Sequence, residues 1–316
     1  MAEIARLDRR ARIYVAGHRG LAGAAIWRAL AAAGFDDLVG IPSEELDLRD
    51  HGATADRLRE IDPDVVVLAA ARVGGIVANS SLPADFLSDN LRIQLSVLDA
   101  ARALKVPRLV FLASSCIYPR LAPQPIPESA LLTGPLEPTN DAYAIAKIAG
   151  ITQVRAVRRQ DGLAWISAMP TNLYGPGDSF HPEHSHVLPG LIHRFHTAMS
   201  SGADDVVLWG TGRPRREFLH CDDLGRAVVA LLDGYDRDEP VNVGVGEDVE
   251  IRELAALVAS VVGFTGRIAW DHSRPDGTPR KLLDVSRIRS LGWQPQVPLV
   301  DGIQETYRWY RAHVAG

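Results

Sequence analysis

The sequence predicts an α/β fold: a doubly wound parallel sheet that carries a second, smaller α+β lobe. Three observations point there. Short β-rich runs alternate with helical stretches throughout the first half of the chain. A glycine run, Gly17-His18-Arg19-Gly20-Leu21-Ala22-Gly23, follows the first of these strands and opens the first helix. The length of 316 residues, at 47% hydrophobic and 23% charged, is enough to bury a sizeable core and to divide into two lobes rather than one.

The elements follow in order. A strand over 12–16 leads into a helix over 21–33, and a strand over 38–41 leads into a helix over about 50–60. A strand over 64–70 leads into a long helix over 83–104. Pro83 suits the first turn of that helix, where a missing N–H costs nothing, and Phe86, Leu87, Leu91, Leu95, Leu98 and Leu104 recur behind it at mainly helical spacing. Such a pattern predicts a buried or dimer-forming helix. A strand over 108–113, a helix over 140–160 and a strand over 164–169 complete the alternation. Between Pro119 and Pro138, the prolines Pro123, Pro125, Pro127 and Pro135 predict an ordered loop over the site. Beyond it, helical patterns at 187–201, 222–232, 251–262 and 300–313 are separated by short strands near 206–209, 240–243 and 267–270, as a lobe capping the sheet would be. The division is 1–171 plus about 220–245 for the sheet domain, and about 172–219 plus 246–316 for the lobe.

A net charge of −5 argues against a surface built for nucleic acid or an anionic membrane, while a local arginine cluster remains free to hold an anionic ligand. No uninterrupted apolar run approaches the ~20 residues of a membrane span, and the start, 1–12, is charged without a signal-peptide core, so the expected address is the cytoplasm. In a reducing compartment Cys116 and Cys221 are expected to be free thiols.

The chemistry concentrates in Tyr143-Ala144-Ile145-Ala146-Lys147, downstream of Ser114-Ser115-Cys116. Tyr143 and Lys147 lie four apart and share one helix face, where an ammonium is expected to lower the phenol pKa and make it a proton donor near neutral pH. Only Lys105, Lys147 and Lys281 are lysines, so 31 of the 34 basic residues are arginine, and lysine persists at 147 against that bias. Gly17, Gly20 and Gly23 in their strand-to-helix setting are a dinucleotide fingerprint, G-x-x-G-x-x-G, and give the sheet its Rossmann-type reading. Arg19 inside the loop favours NADP over NAD. After the second strand, where NAD enzymes place a ribose-binding acid, the chain reads Ile41-Pro42-Ser43-Glu44, which leaves the cofactor choice open. His181, His184 and His186 fit no zinc spacing, with Pro182 interrupting them, and no metal is expected.

The stretches RIYVAGHRGLAG, AARVGGIVAN, SSCIYP, PLEPTNDAYAIAKIAG, MPTNLYGPGD, SHVLPGLIHRFH, REFLHCDDL and PDGTPRKLLD resemble the GDP-L-fucose synthases, which are extended short-chain dehydrogenases/reductases, from about Arg12 to Tyr310. The resemblance implies a bifunctional enzyme that converts GDP-4-keto-6-deoxy-D-mannose to GDP-L-fucose by epimerising carbons 3 and 5 and reducing carbon 4 with NADPH. It implies that Ser114 hydrogen-bonds the ketone, Tyr143 donates its proton, Lys147 holds the nicotinamide ribose, and Cys116 and His186 carry the epimerisations. By the same likeness the cofactor lies along Gly17, His18, Arg19, Gly20, Leu21, Gly23, Ser43, Leu48, Ala113, Lys147, Pro170, Asn172, Leu173 and His186. The GDP-sugar is implied to lie along Asn172, Val187, Arg194, Trp209, Arg216, Asp276 and Lys281, where arginine forks suit a diphosphate and an aromatic wall suits a base. A homodimer through a helix bundle, including the helices of 83–104 and 140–160, is implied as well. Relatives that use NADPH often carry arginine just after the second strand, where this chain has Ile41 and Ser43, so part of the 2'-phosphate grip is expected to be missing. The alternative is a related GDP-deoxyketosugar enzyme such as a colitose-forming synthase. A non-catalytic NADP-sensing protein is a distant one, opposed by the presence of Ser114, Cys116, Tyr143, Lys147 and His186 together.

Overall fold

A computed structural model describes residues 6–315 except 183 and 275, so the first five residues of the charged start lie outside the described residues. The chain runs β1 (Ile13–Ala16), α1 (Leu21–Ala32), β2 (Leu38–Val39), α2 (His51–Ile61), β3 (Val65–Leu68), α3 (Ile76–Ser81), α4 (Pro83–Ala103), β4 (Arg108–Leu112), α5 (Asp141–Asp161) and β5 (Ala164–Pro170). It continues through β6 (Asn172–Tyr174), α6 (Val187–Ser201), β7 (Asp205–Trp209), β8 (Arg215–Arg216), β9 (Phe218–His220), α7 (Cys221–Gly234) and β10 (Val241–Val243). Last come β11 (Val249–Glu250), α8 (Ile251–Val262), β12 (Arg267–Asp271), β13 (Arg280–Lys281), α9 (Ser286–Arg289) and α10 (Leu299–His313).

The main sheet has six strands in the order β2-β1-β3-β4-β5-β10, all parallel. β1, β3 and β4 are buried along their whole length, because helices pack in two separate groups, α2 with α4 and α5, and α1 with α7. That double cover is why these strands read as unbroken apolar runs. The chain steps from β1 outward to β2 and then back across to β3, which opens a crevice at the strand ends between β1 and β3, where doubly wound folds hold their ligands.

Local chemistry sets the ends of the elements. The Asp50 side chain accepts a hydrogen bond from the Ala53 N–H at 2.9 Å and starts α2, and Pro83 occupies the first turn of α4 as the sequence predicts. β2 has two residues where the sequence predicts four, since Pro42, which has no N–H, ends the ladder soon after it. The pieces β6, β8, β9, β11 and β13, of two or three residues each, are too short to leave a readable alternation.

Two apolar cores form. One fills the space around the main sheet, and the second gathers Tyr174, Leu191, Ile192, Phe195, Leu208, Phe218, Leu254, Val258, Ile303 and Tyr310 among others. Leu283, Val285, Ile288 and Trp293 belong to the first core, although the sequence division assigns all of 246–316 to the lobe. α9 packs on β10, so the chain returns to the sheet before α10 rejoins the second core. No helix among the described residues is long and apolar enough to cross a membrane.

Candidate active site

At the crevice lies a cavity of about 700 Å³, which includes Gly17, Gly20, Leu21 and Gly23 in its wall. Gly17 has φ +85°, and a Cβ there would come within 2.7 Å of the Ala70 backbone N; at Gly23 it would come within 2.0 Å of the Gly17 carbonyl. The loop is therefore folded as tightly as a dinucleotide turn requires. α1 begins without a side-chain cap and without an acidic residue in its first turn, so the helix presents uncapped N–H groups and a positive end, the environment a pyrophosphate needs. Ser43, Leu48, Ala113, Lys147, Pro170, Asn172, Leu173 and His186 line the same cavity.

Ser114 ends the segment after β4 and caps a 3-10 turn over Ser115–Ile117, its Oγ accepting the Cys116 N–H at 3.3 Å. Ser114, which caps this turn, and Cys116 within it both line a second cavity of about 660 Å³. Ser114, Tyr143, Asn172, Leu173 and His186 belong to both cavities, which meet at these side chains.

Lys147 is buried, its Nζ donating to the Leu112 carbonyl at 2.9 Å and lying 5.8 Å from the Tyr143 ring centroid. Burial brings its pKa down to about 8. The phenol does not behave as the sequence predicts. Burial pushes the Tyr143 pKa up, and negative charge on Cys116 adds to the rise. The ammonium donates to the Leu112 carbonyl and not to the phenol hydroxyl, and desolvation dominates at Tyr143. Tyr143 therefore stays protonated. Burial also raises the Cys116 thiol, opposed first by Lys281, then by a hydrogen bond with Ser114 and by Lys147. His186, at the N-cap of α6, is lowered by burial.

The second cavity collects Val187, Arg194, Trp209, Arg216, Asp276 and Lys281 from α6, β7, β8, β13 and the loop before β13. The Arg194 guanidinium lies 5.8 Å from the Trp209 ring centroid, and Arg216 donates to the Arg215 carbonyl at 2.8 Å. Among the described residues, Arg194, Arg216 and Lys281 have no carboxylate ion-pair partner. Three cations without a bonded carboxylate line this cavity together with Glu137 and Asp276, and they favour an anionic ligand. The Asp276 carboxylate is engaged by the N–H and hydroxyl of Thr211, at 2.9 and 2.7 Å.

Two cofactor residues fall elsewhere. His18 lies against Gly40 with its ring 5.6 Å from that of Trp27, and Arg19 pairs with Glu44 at 3.4 Å; neither lines the first cavity, because the loop turns both side chains away from it. Sequence reasoning also missed Arg49, Arg72, Asp89 and Asp178 in the cofactor wall. Arg49 pairs with Asp47 at 2.8 Å and Asp89 at 3.5 Å, and Arg72 with Asp89 at 2.6 Å. Asp178 accepts the Ser179 N–H on Oδ1 at 2.7 Å, its Oδ2 has no partner, and burial raises its carboxyl to about 7. The donor atoms of His220, Cys221 and Asp222 lie within 4.8 Å of one another, but the Arg28 guanidinium already bonds Asp222 and Cys221 there.

A parallel Rossmann-type sheet with a Ser–Tyr–Lys set between a dinucleotide crevice and a cationic pocket defines an extended short-chain dehydrogenase/reductase. The profile of the NAD dependent epimerase/dehydratase family matches residues 13–244. Probable GDP-L-fucose synthase 1 of Oryza sativa subsp. japonica is 59% identical over 309 residues, covering 97% of this chain and 94% of the relative. The GDP-L-fucose synthetase of Naegleria fowleri bound to NADP superposes with a TM-score of 0.91 at 30% identity, covering 100% of this chain and 97% of that one. The GDP-L-colitose synthase of Yersinia pseudotuberculosis is more distant, 35% identical over 85% of this chain and 88% of the relative. The chain belongs to the NAD dependent epimerase/dehydratase family and, within it, to the GDP-L-fucose synthases.

Proposed function

We propose that the chain converts GDP-4-keto-6-deoxy-D-mannose to GDP-L-fucose, epimerising carbons 3 and 5 and reducing the carbon 4 ketone with NADPH. The observation that carries this reading is the meeting of the two cavities at Ser114, Tyr143 and His186, with Cys116, Arg194, Arg216 and Lys281 on one side and the uncapped start of α1 on the other. The greater distance to the colitose synthase favours this substrate over the 3,6-dideoxy alternative. When bound, NADPH supplies the hydride to carbon 4.

The side chains divide the remaining work. The Ser114 hydroxyl donates to the ketone oxygen and so acidifies the neighbouring C–H bonds. The Cys116 thiolate takes a proton from carbon 3 or 5, and protonated His186 returns one to the opposite face; solvent then restores both groups. Tyr143 donates its phenolic proton to the oxygen that becomes the carbon 4 alcohol. Lys147 holds the nicotinamide ribose, and Arg194, Arg216 and Lys281 hold the diphosphate and sugar.

Incubation in heavy water followed by mass spectrometry tests the division. Cys116→Ser is expected to abolish deuterium uptake at carbons 3 and 5, because an alcohol is far too weak an acid to replace the thiol. Tyr143→Phe is expected to keep that uptake while NADPH oxidation falls about 10²–10⁴-fold. Full deuterium uptake by Cys116→Ser would show that another residue is the base.

We also infer a homodimer built on α4 and α5, which pack on each other and leave Leu95 and Ile145 exposed. Light scattering at micromolar protein is expected to give the dimer mass, and a monomer mass would refute it.

A further inference from the structure

Arginine supplies 31 of the 34 basic residues, yet two of the three lysines line this site: Lys147 in the cofactor cavity and Lys281 in the substrate cavity. Cys116 lines the substrate cavity with Lys281; burial raises its thiol, Lys281 opposes that rise more strongly than Lys147 does, and burial lowers the Lys281 ammonium as well. Lys281 stands on β13, whose parallel register sets it beside Arg216 of β8. Its ammonium has no hydrogen bond or ion pair among the described residues. Glu137, the carboxylate that acts on it, is already engaged by Arg120 at 3.3 Å and by the Thr278 hydroxyl at 3.0 Å. An ammonium whose charge is not shared with a bonded carboxylate thus shares a cavity with a thiol whose ionisation burial opposes.

We propose that Lys281 is a positioning residue for the epimerisation, its ammonium easing formation of the Cys116 thiolate in the pocket the two share, and that this role requires lysine rather than arginine. The inference rests on Cys116 being the base. In the step it supports, the C–H bond alpha to the ketone breaks and the S–H bond of Cys116 forms. The electron pair moves into the enolate, whose oxygen Ser114 holds, and Lys281 keeps its protons throughout. A compact ammonium can serve the thiolate while standing next to Arg216. A planar guanidinium presents its charge spread over a fork and meets Arg216 as a second large cation.

Alkylation of Cys116 by iodoacetamide, followed across pH in the substrate-free protein and resolved from Cys221 by peptide mass spectrometry, reads the thiolate directly. Lys281→Met is expected to move the midpoint of that profile up by about one pH unit or more, which is about tenfold less thiolate at neutral pH. Lys281→Arg is expected to give an intermediate midpoint. Deuterium uptake into the substrate is expected to fall in parallel at neutral pH and to recover at alkaline pH, a recovery that mere loss of substrate binding would not produce. NADPH binding by fluorescence checks that each variant is folded, and if the Met variant fails that check, the Arg variant carries the test. An unshifted midpoint overturns the role of Lys281 and leaves the proposed function intact. Full deuterium uptake by Cys116→Ser, by contrast, removes the base assignment on which both depend.

Discussion

The two cavities are built with opposite electrostatics. In the cofactor wall Arg49 and Arg72 are held by Asp47, Asp85 and Asp89, and Arg19 of the glycine loop is held by Glu44. In the substrate wall Arg194, Arg216 and Lys281 carry no ion-paired carboxylate among the described residues. An anionic group entering the cofactor side meets the uncapped N–H groups of α1 directly, but it must displace a carboxylate before it gains an arginine. One entering the substrate side meets cations that no ion pair holds, although Glu137 and Asp276 lie in the same wall. The first arrangement suits a cofactor gripped chiefly by backbone N–H groups and shape, and the second suits a ligand recognised by its diphosphate.

The difference can be broken from either side. Arg216→Met is expected to weaken GDP-sugar binding about 10–100-fold, the worth of one charge-assisted phosphate contact at ~1.5–3 kcal/mol, while NADPH affinity stays nearly unchanged. Calorimetric titration with each ligand checks this, and an equal loss for both would show that the cavities are not electrostatically separate. Next in size is a pH effect. Asp178 lines the cofactor cavity with its carboxyl raised to about 7, so NADPH affinity is expected to fall several-fold as pH rises through about 7 and a negative charge appears there. Asp178→Asn is expected to flatten that profile in fluorescence titrations. The same group has a stability signature. Between the usual carboxylate value of 3.8 and about 7, the folded protein keeps a proton that the unfolded chain has lost, so this group's contribution declines as pH rises across that window. Denaturation midpoints compared between pH 4.5 and 7.5 are expected to decline less in Asp178→Asn than in the parent.

The smallest effect expected is at Glu44. Releasing Arg19 with Glu44→Gln is expected to raise the preference for NADPH over NADH by up to about fivefold, since an exposed pair is worth only ~0.2–1 kcal/mol. The ratio of kcat/KM for the two cofactors reads it, and a fall in that ratio would show that Arg19 takes no part in phosphate recognition. This residue sharpens the contrast between the cavities, because a 2'-phosphate has to compete with Glu44 for its arginine.

Much of the site was legible because its parts are local. Gly17, Gly20 and Gly23 are read from their spacing between a strand and a helix, and the tight turn needs the missing side chains of Gly17 and Gly23. Tyr143 and Lys147 reach one face because they lie four apart on α5. The predicted lowering of the Tyr143 pKa failed for a non-local reason: the depth at which α5 is buried desolvates both groups, and no sequence spacing encodes that depth. Asp89, on α4, entered the cofactor wall only when α4 packed near the crevice, and nothing in its own neighbourhood marks it.

Beyond what the family resemblance implied for Ser114 and the substrate-side cations, the sequence by itself determined the alternating strands and helices, the glycine turn and the shared face of Tyr143 and Lys147. Each of these depends on residue type at short separation, where backbone geometry is the same in any fold. Only the tertiary structure decided that Ser114, Tyr143 and His186 close the gap between two cavities, that Arg19 is spent on Glu44, and that Lys281 comes from β13 to share a pocket with Cys116. Those outcomes follow from which distant segments pack together, and with them from burial and unshared charge, which act through space rather than along the chain.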